Sequence, residues 1–137
     1  MKSATSKAAA LCAMIALVWA GALGALQTPQ APAVKRNVVL KQDMTIPGRE
    51  AVMVVVEIPP GGAEGRHSHN AEVFAFVEEG TLTLETEGKP TETLKAGDHF
   101  YAAPGQIHQG KNEGSTPVKL FVVFAAEKGK PLTTPAP

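Results

Sequence analysis

The chain has 137 residues, with 13 basic and 13 acidic side chains and a formal net charge of zero. That length holds one domain with some trailing sequence, and without a basic run there is no electrostatic footprint for nucleic acid. Aromatic residues make up 5% of the chain, while valine is frequent, a balance that favours strands over packed helices. The only cysteine, Cys12, lies in the N-terminal apolar stretch, so the domain beyond it has neither a disulfide nor a catalytic thiol.

Lys2 and Lys7 open the chain and are followed by an uncharged apolar run from Ala8 to Leu26. This is the pattern of an N-terminal signal helix, with Ala22-Leu23-Gly24 as the cleavage site and residues 1–24 as the signal peptide. Cleavage after Gly24 leaves 11 basic against 13 acidic side chains. The alternative is an uncleaved membrane anchor, because the run approaches the roughly 20 residues that span a bilayer. In a bacterial cell either route places the domain outside the cytoplasmic membrane, periplasmic or secreted. Residues 25–36 carry Pro29 and Pro32 among alanines and glutamines, a linker composition.

The body, residues 37–127, reads as short strands. Val38 to Met44 forms the first, with Pro47-Gly48 as the turn after it. Arg49 to Ile58 contains Met53-Val54-Val55-Val56, a continuous apolar run expected of a strand buried on both faces. Pro59-Pro60-Gly61-Gly62 ends it. The next strand carries His67-Ser68-His69 and continues through Glu72 to Val77. Side chains two apart on a strand share a face, so His67 and His69 present their imidazoles together. Thr81 to Glu85 alternates with Leu82 and Leu84 facing inward. Pro90 to Leu94, His99 to Ala102, a short strand around His108, and Val118 to Ala126 complete a set of eight. Strands at this spacing argue for an all-β sandwich or barrel of about 90 residues. The proline-rich residues 128–137 are expected to trail as an extended tail without regular ladder hydrogen bonds.

Three of the four histidines thus fall where strands can converge them. His67 and His69 are on one strand, and His108 follows the Pro104-Gly105 turn, where a positive φ at Gly105 would aim it inward. Asp98 is expected to organise its own turn, Asn112 to bond backbone in the loop after it, and His99 to sit on a strand surface. Phe74, Phe76, Phe100, Tyr101, Phe121 and Phe124 read as core or interface residues.

With these residues in view, the chain resembles a cupin. That family's first motif is a glycine, five residues, His-x-His, three or four residues, a glutamate, six residues and a glycine, which Gly61, His67, His69 and Gly80 match. Its second motif is matched by Gly97, Gly105, His108 and Asn112, with Ala103 in place of the proline. Sixteen residues separate Gly80 from Gly97, close to the family's shortest spacer. The resemblance covers roughly residues 38 to 126. It implies a double-stranded β-helix, the jelly-roll barrel of short antiparallel strands, and assigns His67, His69 and His108 as ligands of one divalent metal ion. Neutral imidazole suits Fe, Mn, Ni, Cu or Zn, and three histidines leave positions for water and substrate.

One departure concerns the glutamate. Ungapped alignment puts Val73 at its position and Glu72 one residue early. Strand alternation sends 67, 69, 71 and 73 to one face and Glu72, Phe74 and Phe76 to the other. Glu72 joins the metal site only if a bulge between His69 and Glu72 shifts the phase. Three readings follow. The first is a metal-dependent, dioxygenase-like enzyme acting on a small organic molecule; the second is a non-catalytic metal- or ligand-binding module; the third is a purely structural barrel. A deep pocket beside the metal, lined by a titratable group with a perturbed pKa, separates the first from the second, whereas a filled, apolar barrel favours binding or structure. The resemblance also implies a homodimer formed by sheet packing, which outward Phe74 and Phe76 would suit.

Overall fold

The computed structural model describes residues 30–137; the expected signal helix and residues 25–29 of the linker lie outside the described residues. The described residues form ten strands: β1 (Lys35–Asp43), β2 (Arg49–Ile58), β3 (His67–His69), β4 (Ala71–Glu79), β5 (Thr81–Thr86), β6 (Glu92–Lys95), β7 (His99–Ala102), β8 (His108–Lys111), β9 (Val118–Glu127) and β10 (Thr133–Pro135). They build two five-stranded sheets, one in the order β1-β2-β9-β4-β7 and the other β10-β3-β8-β5-β6. Every pairing is antiparallel. The fold is all-β and of jelly-roll type, but the expected closed barrel is not formed. Among the described residues no ladder joins one sheet to the other, and β1, β7, β10 and β6 are the edge strands.

Two further strands appear beyond the expected eight. The histidine strand divides at Asn70, where the chain bends out of one sheet as β3 and enters the other as β4. The alternation survives the corner, since His67, His69, Ala71, Val73, Ala75 and Val77 are all buried. The second addition is the C-terminal tail. Instead of trailing free of the ladders it pairs with β3, Thr133 opposite His69 and Pro135 opposite His67. Prolines are tolerated there because β10 is an edge strand.

The apolar run in β2 is also corrected. Val52, Val54, Val56 and Ile58 are buried, whereas Met53 and Val55 are only partly covered. The sheet has one face on the core and one outside, so a period-2 strand in it cannot be enclosed twice. The core between the sheets joins these residues to Leu82, Leu84, Val118, Leu120, Val122 and Phe124. Each aliphatic side chain fully removed from water there contributes roughly 1.5–3 kcal/mol.

The loops behave as their chemistry dictates. Asp98 Oδ2 accepts the Lys95 amide at 2.7 Å. Gly105 has φ 76°. Asn112, buried, donates Nδ2 to the Ile58 and Thr116 carbonyls at 2.9 and 2.8 Å and accepts the Gly114 amide at 3.0 Å, fastening the β8–β9 loop to the end of β2.

Candidate metal centre

His67 stands directly opposite His108 in the β3–β8 pair, and His69 lies one pleat further along β3. The cross-strand pairing and the period of two therefore gather three imidazoles on the inner face. Their ring centroids are 4.8 Å (His67–His69), 4.6 Å (His67–His108) and 5.3 Å (His69–His108) apart. The three residues are buried, and one ring nitrogen from each falls within 4.8 Å of the others. No fourth histidine, cysteine or carboxylate joins that cluster among the described residues.

Each ring has its Nδ1 beside a backbone carbonyl. His67 meets Gly65 O at 2.7 Å, His108 meets Gln106 O at 3.0 Å, and His69 meets Leu132 O at 3.1 Å. A carbonyl only accepts, so each Nδ1 carries the proton and donates it, leaving each Nε2 with a free lone pair. That is the tautomer a metal-binding imidazole uses, with the outer nitrogen fixed by a hydrogen bond. Burial lowers the pKa of His69 to about 4, helped by the neighbouring His67 and His108 and opposed by the bond to Leu132. His108 is also lowered, chiefly by burial. Both rings are therefore neutral ligands at physiological pH. Three buried imidazoles, each with a ring nitrogen within 4.8 Å of the others, can hold one ion.

The triad opens onto a cavity of about 540 Å³. Its deep wall is apolar, with Val54, Val56, Val73, Leu120, Val122 and Phe124 among its residues, and its polar lining includes Arg36, Glu64, Arg66 and Thr133. Phe124 packs on His69 at 4.9 Å between centroids.

Glu72 is not part of the site. It is exposed on the outer face of β4, opposite Ala125. The bulge that would turn it inward is absent, because residues 67, 69, 71 and 73 keep their phase. Val73 occupies the cavity wall instead. The carboxylate that does reach the cavity is Glu64, which the sequence reading did not single out. Its side chain is only 11% exposed, with Oε1 3.3 Å from Arg36 Nη2. The space it uses exists because residue 110 is glycine: a Cβ at Gly110 would lie 2.9 Å from Glu64 Oε2 and 3.0 Å from Leu82 Cδ1. Glu64 precedes β3 in a loop, so strand periodicity carried no information about its direction. Its place between Gly61 and the first histidine was the only available signal. His99 and Tyr101 sit exposed on the outer surface, away from the cavity. Gln109 binds Glu85 at 2.6 Å on the far face of its strand.

A two-sheet jelly roll with three convergent histidines facing an internal cavity defines a small double-stranded β-helix protein with a candidate metal centre. Residues 54–124 match the family model described as a cupin domain, and the chain belongs to the cupin family. It is similar to germin-like protein 5-1 of Oryza sativa subsp. japonica, 35% identical over 77 residues that make up 53% of this chain and 35% of that one; the chain thus spans about a third of that relative's length. Among solved structures it resembles a conserved protein with a double-stranded β-helix domain from Klebsiella pneumoniae subsp. pneumoniae. The TM-score is 0.65 at 27% identity, over 80% of this chain and 90% of that one. A recombinant oxalate oxidase in complex with glycolate shares the fold at TM-score 0.60 and 24% identity, over 80% of this chain and 57% of that one.

Proposed function

We propose that the protein is an exported cupin that holds one divalent transition metal on Nε2 of His67, His69 and His108 and acts as a metal-dependent enzyme on a small organic molecule. The single observation that carries this reading is the open, largely apolar cavity beside the triad with Glu64 on its lining. A domain whose only task was to enclose itself would fill that space with side chains. A bound metal would supply Lewis-acid and, for a redox ion, oxygen-activating chemistry.

The chain's own groups have separate tasks in this reading. The valine, leucine and phenylalanine wall takes the apolar body of the substrate and excludes water. Glu64, free of the triad and held by Arg36, is the carboxylate that takes or returns a proton during a dioxygenase-like or isomerising reaction. It fills the role that Val73 cannot. Small-molecule chemistry is in keeping with the oxalate oxidase that shares the fold. The apolar outer strip of Phe74, Phe76 and Tyr101 suits packing against a second copy. Residues 1–24 would direct export, which N-terminal sequencing of the secreted protein, beginning at Ala25, would verify.

Metal content by mass spectrometry, on protein purified without a metal-affinity tag, tests the core of the proposal. About one equivalent is expected, lost in His67→Ala and retained in Glu72→Ala. Metal uptake together with oxygen consumption or isomerisation in a substrate screen, abolished by Glu64→Gln without loss of metal, supports the enzyme. Metal uptake with tight ligand binding and no turnover would favour a binding module. No uptake of Fe, Mn, Ni, Cu or Zn would overturn both.

A further inference from the structure

The Nδ1 partners of the three histidines are not equivalent. Those of His67 and His108 are carbonyls two residues before each ring, Gly65 and Gln106, so those two rings are oriented locally. That of His69 is Leu132, 63 positions away in the C-terminal segment. Thr133 Oγ1 approaches the same nitrogen at 3.2 Å. Leu132, Thr133 and Pro135 also line the cavity.

The segment is fastened on both sides of this contact. The Asn70 amide donates to Leu132 O at 3.3 Å, and Asn70 Nδ2 donates to Pro131 O at 2.8 Å. Beyond β10 the Ala136 amide donates to Arg66 O at 2.9 Å, and Arg66 Nε donates to Pro137 O at 2.8 Å. Yet β10 is a three-residue, exposed edge strand, bonded only to β3 in its sheet. Such an edge is of low local stability, since few buried apolar contacts hold it. A weakly held segment therefore orients one of three buried ligands.

We propose that the C-terminal segment, residues 131–137, is a positioning element of the metal centre, whose docking and metal binding are thermodynamically coupled. This rests on the triad being the metal site, as proposed above. With the segment docked, the Leu132 carbonyl holds His69 in the Nδ1–H tautomer with Nε2 turned to the site. With the segment released, His69 loses that partner while His67 and His108 keep theirs. Coupling is reciprocal, so whatever factor the docked tail adds to metal affinity, bound metal adds to tail docking.

The test uses the full chain, with zinc as a redox-silent probe. Asn70→Ala with Ala136→Pro removes one donor on each side of the Leu132 contact and touches none of the three histidines. Zinc affinity is expected to fall about 10- to 100-fold, the usual effect of losing an outer partner of a metal-bound histidine. Nitrogen-15 NMR of the zinc-free double variant should show mixed tautomers at His69 alone, which a general loss of stability would not produce. In the unmutated protein, zinc should slow hydrogen exchange of the Asn70 amide by at least the factor by which the double variant weakens zinc binding. Unchanged zinc affinity in the double variant, or unchanged Asn70 exchange on zinc binding, overturns the coupling. Failure of the unmutated protein to bind zinc or any of the other metals would instead overturn the site itself, and the coupling with it.

Discussion

His69 is a buried titratable group whose pKa lies well below its ordinary value. Burial and two neighbouring imidazoles hold its pKa at about 4 against an ordinary 6.5. Between those values the unfolded chain binds a proton on this ring and the folded chain does not, so stability rises with pH through the window and is lost on acidification. The shift of His108 has the same sign. For the metal-free protein, urea unfolding at pH 7 and pH 4.5 should differ by on the order of 2 kcal/mol through His69, after allowance for its residual solvent contact. The difference should shrink in His69→Gln. At Gly110 the expectation is steric. A methyl group there meets Glu64 and Leu82 at about 3 Å, so Gly110→Ala should displace the Glu64 carboxylate and cost about 1–3 kcal/mol through overpacking. Thermal unfolding would measure the cost.

Between elements, the site depends on a few fastenings. The β3–β8 contact that sets His67 against His108 is a single register pair, so the surrounding loops have to fix the two strands. Asn112 does much of this: three hydrogen bonds from one buried amide join the end of β8, the following loop and the end of β2. Asn112→Ala leaves two carbonyls and an amide without that partner and should destabilise by about 2–4 kcal/mol. A lower urea midpoint with an unchanged slope would report it. Gly61, whose amide donates to Asn112 O at 2.9 Å, is drawn into the same junction, so residues from both family motifs meet structurally at this point.

At the scale of the molecule, the outer face of the β1-containing sheet is unusual. Phe74, Phe76 and Tyr101 are each close to half exposed, and with His99 and Phe121 they line a shallow apolar groove of about 280 Å³. Contiguous exposed aromatics of this kind mark interaction surfaces more often than bare solvent-facing sheet. If a second copy covers them, sedimentation should give twice the chain mass. Phe76→Glu should return the monomer with its metal content intact, because the strip and the triad are on opposite faces of their strands. A monomer in the unmutated protein would remove the dimer from the proposal.

Much of this molecule is legible in its sequence. Alternating hydrophobicity, turn residues at short intervals and histidines two apart on a strand are local signals, and they correctly announced an all-β fold, an inward-facing pair of imidazoles, a turn at Gly105 and the role of Asn112. The same period-2 rule placed Glu72 on the outer face and Val73 inside. What the tertiary structure decided were contacts made across long separations in sequence. The tail docks on β3 because an edge strand offers unpaired backbone groups, which no pattern within a proline-rich segment reveals. Glu64 enters the cavity because a glycine 46 positions later leaves room for it. Two sheets form in place of a closed barrel because the chain bends from one to the other at Asn70 and no ladder seals the edges. Local periodicity determines which face a side chain takes. Only the folded chain determines what stands opposite that face.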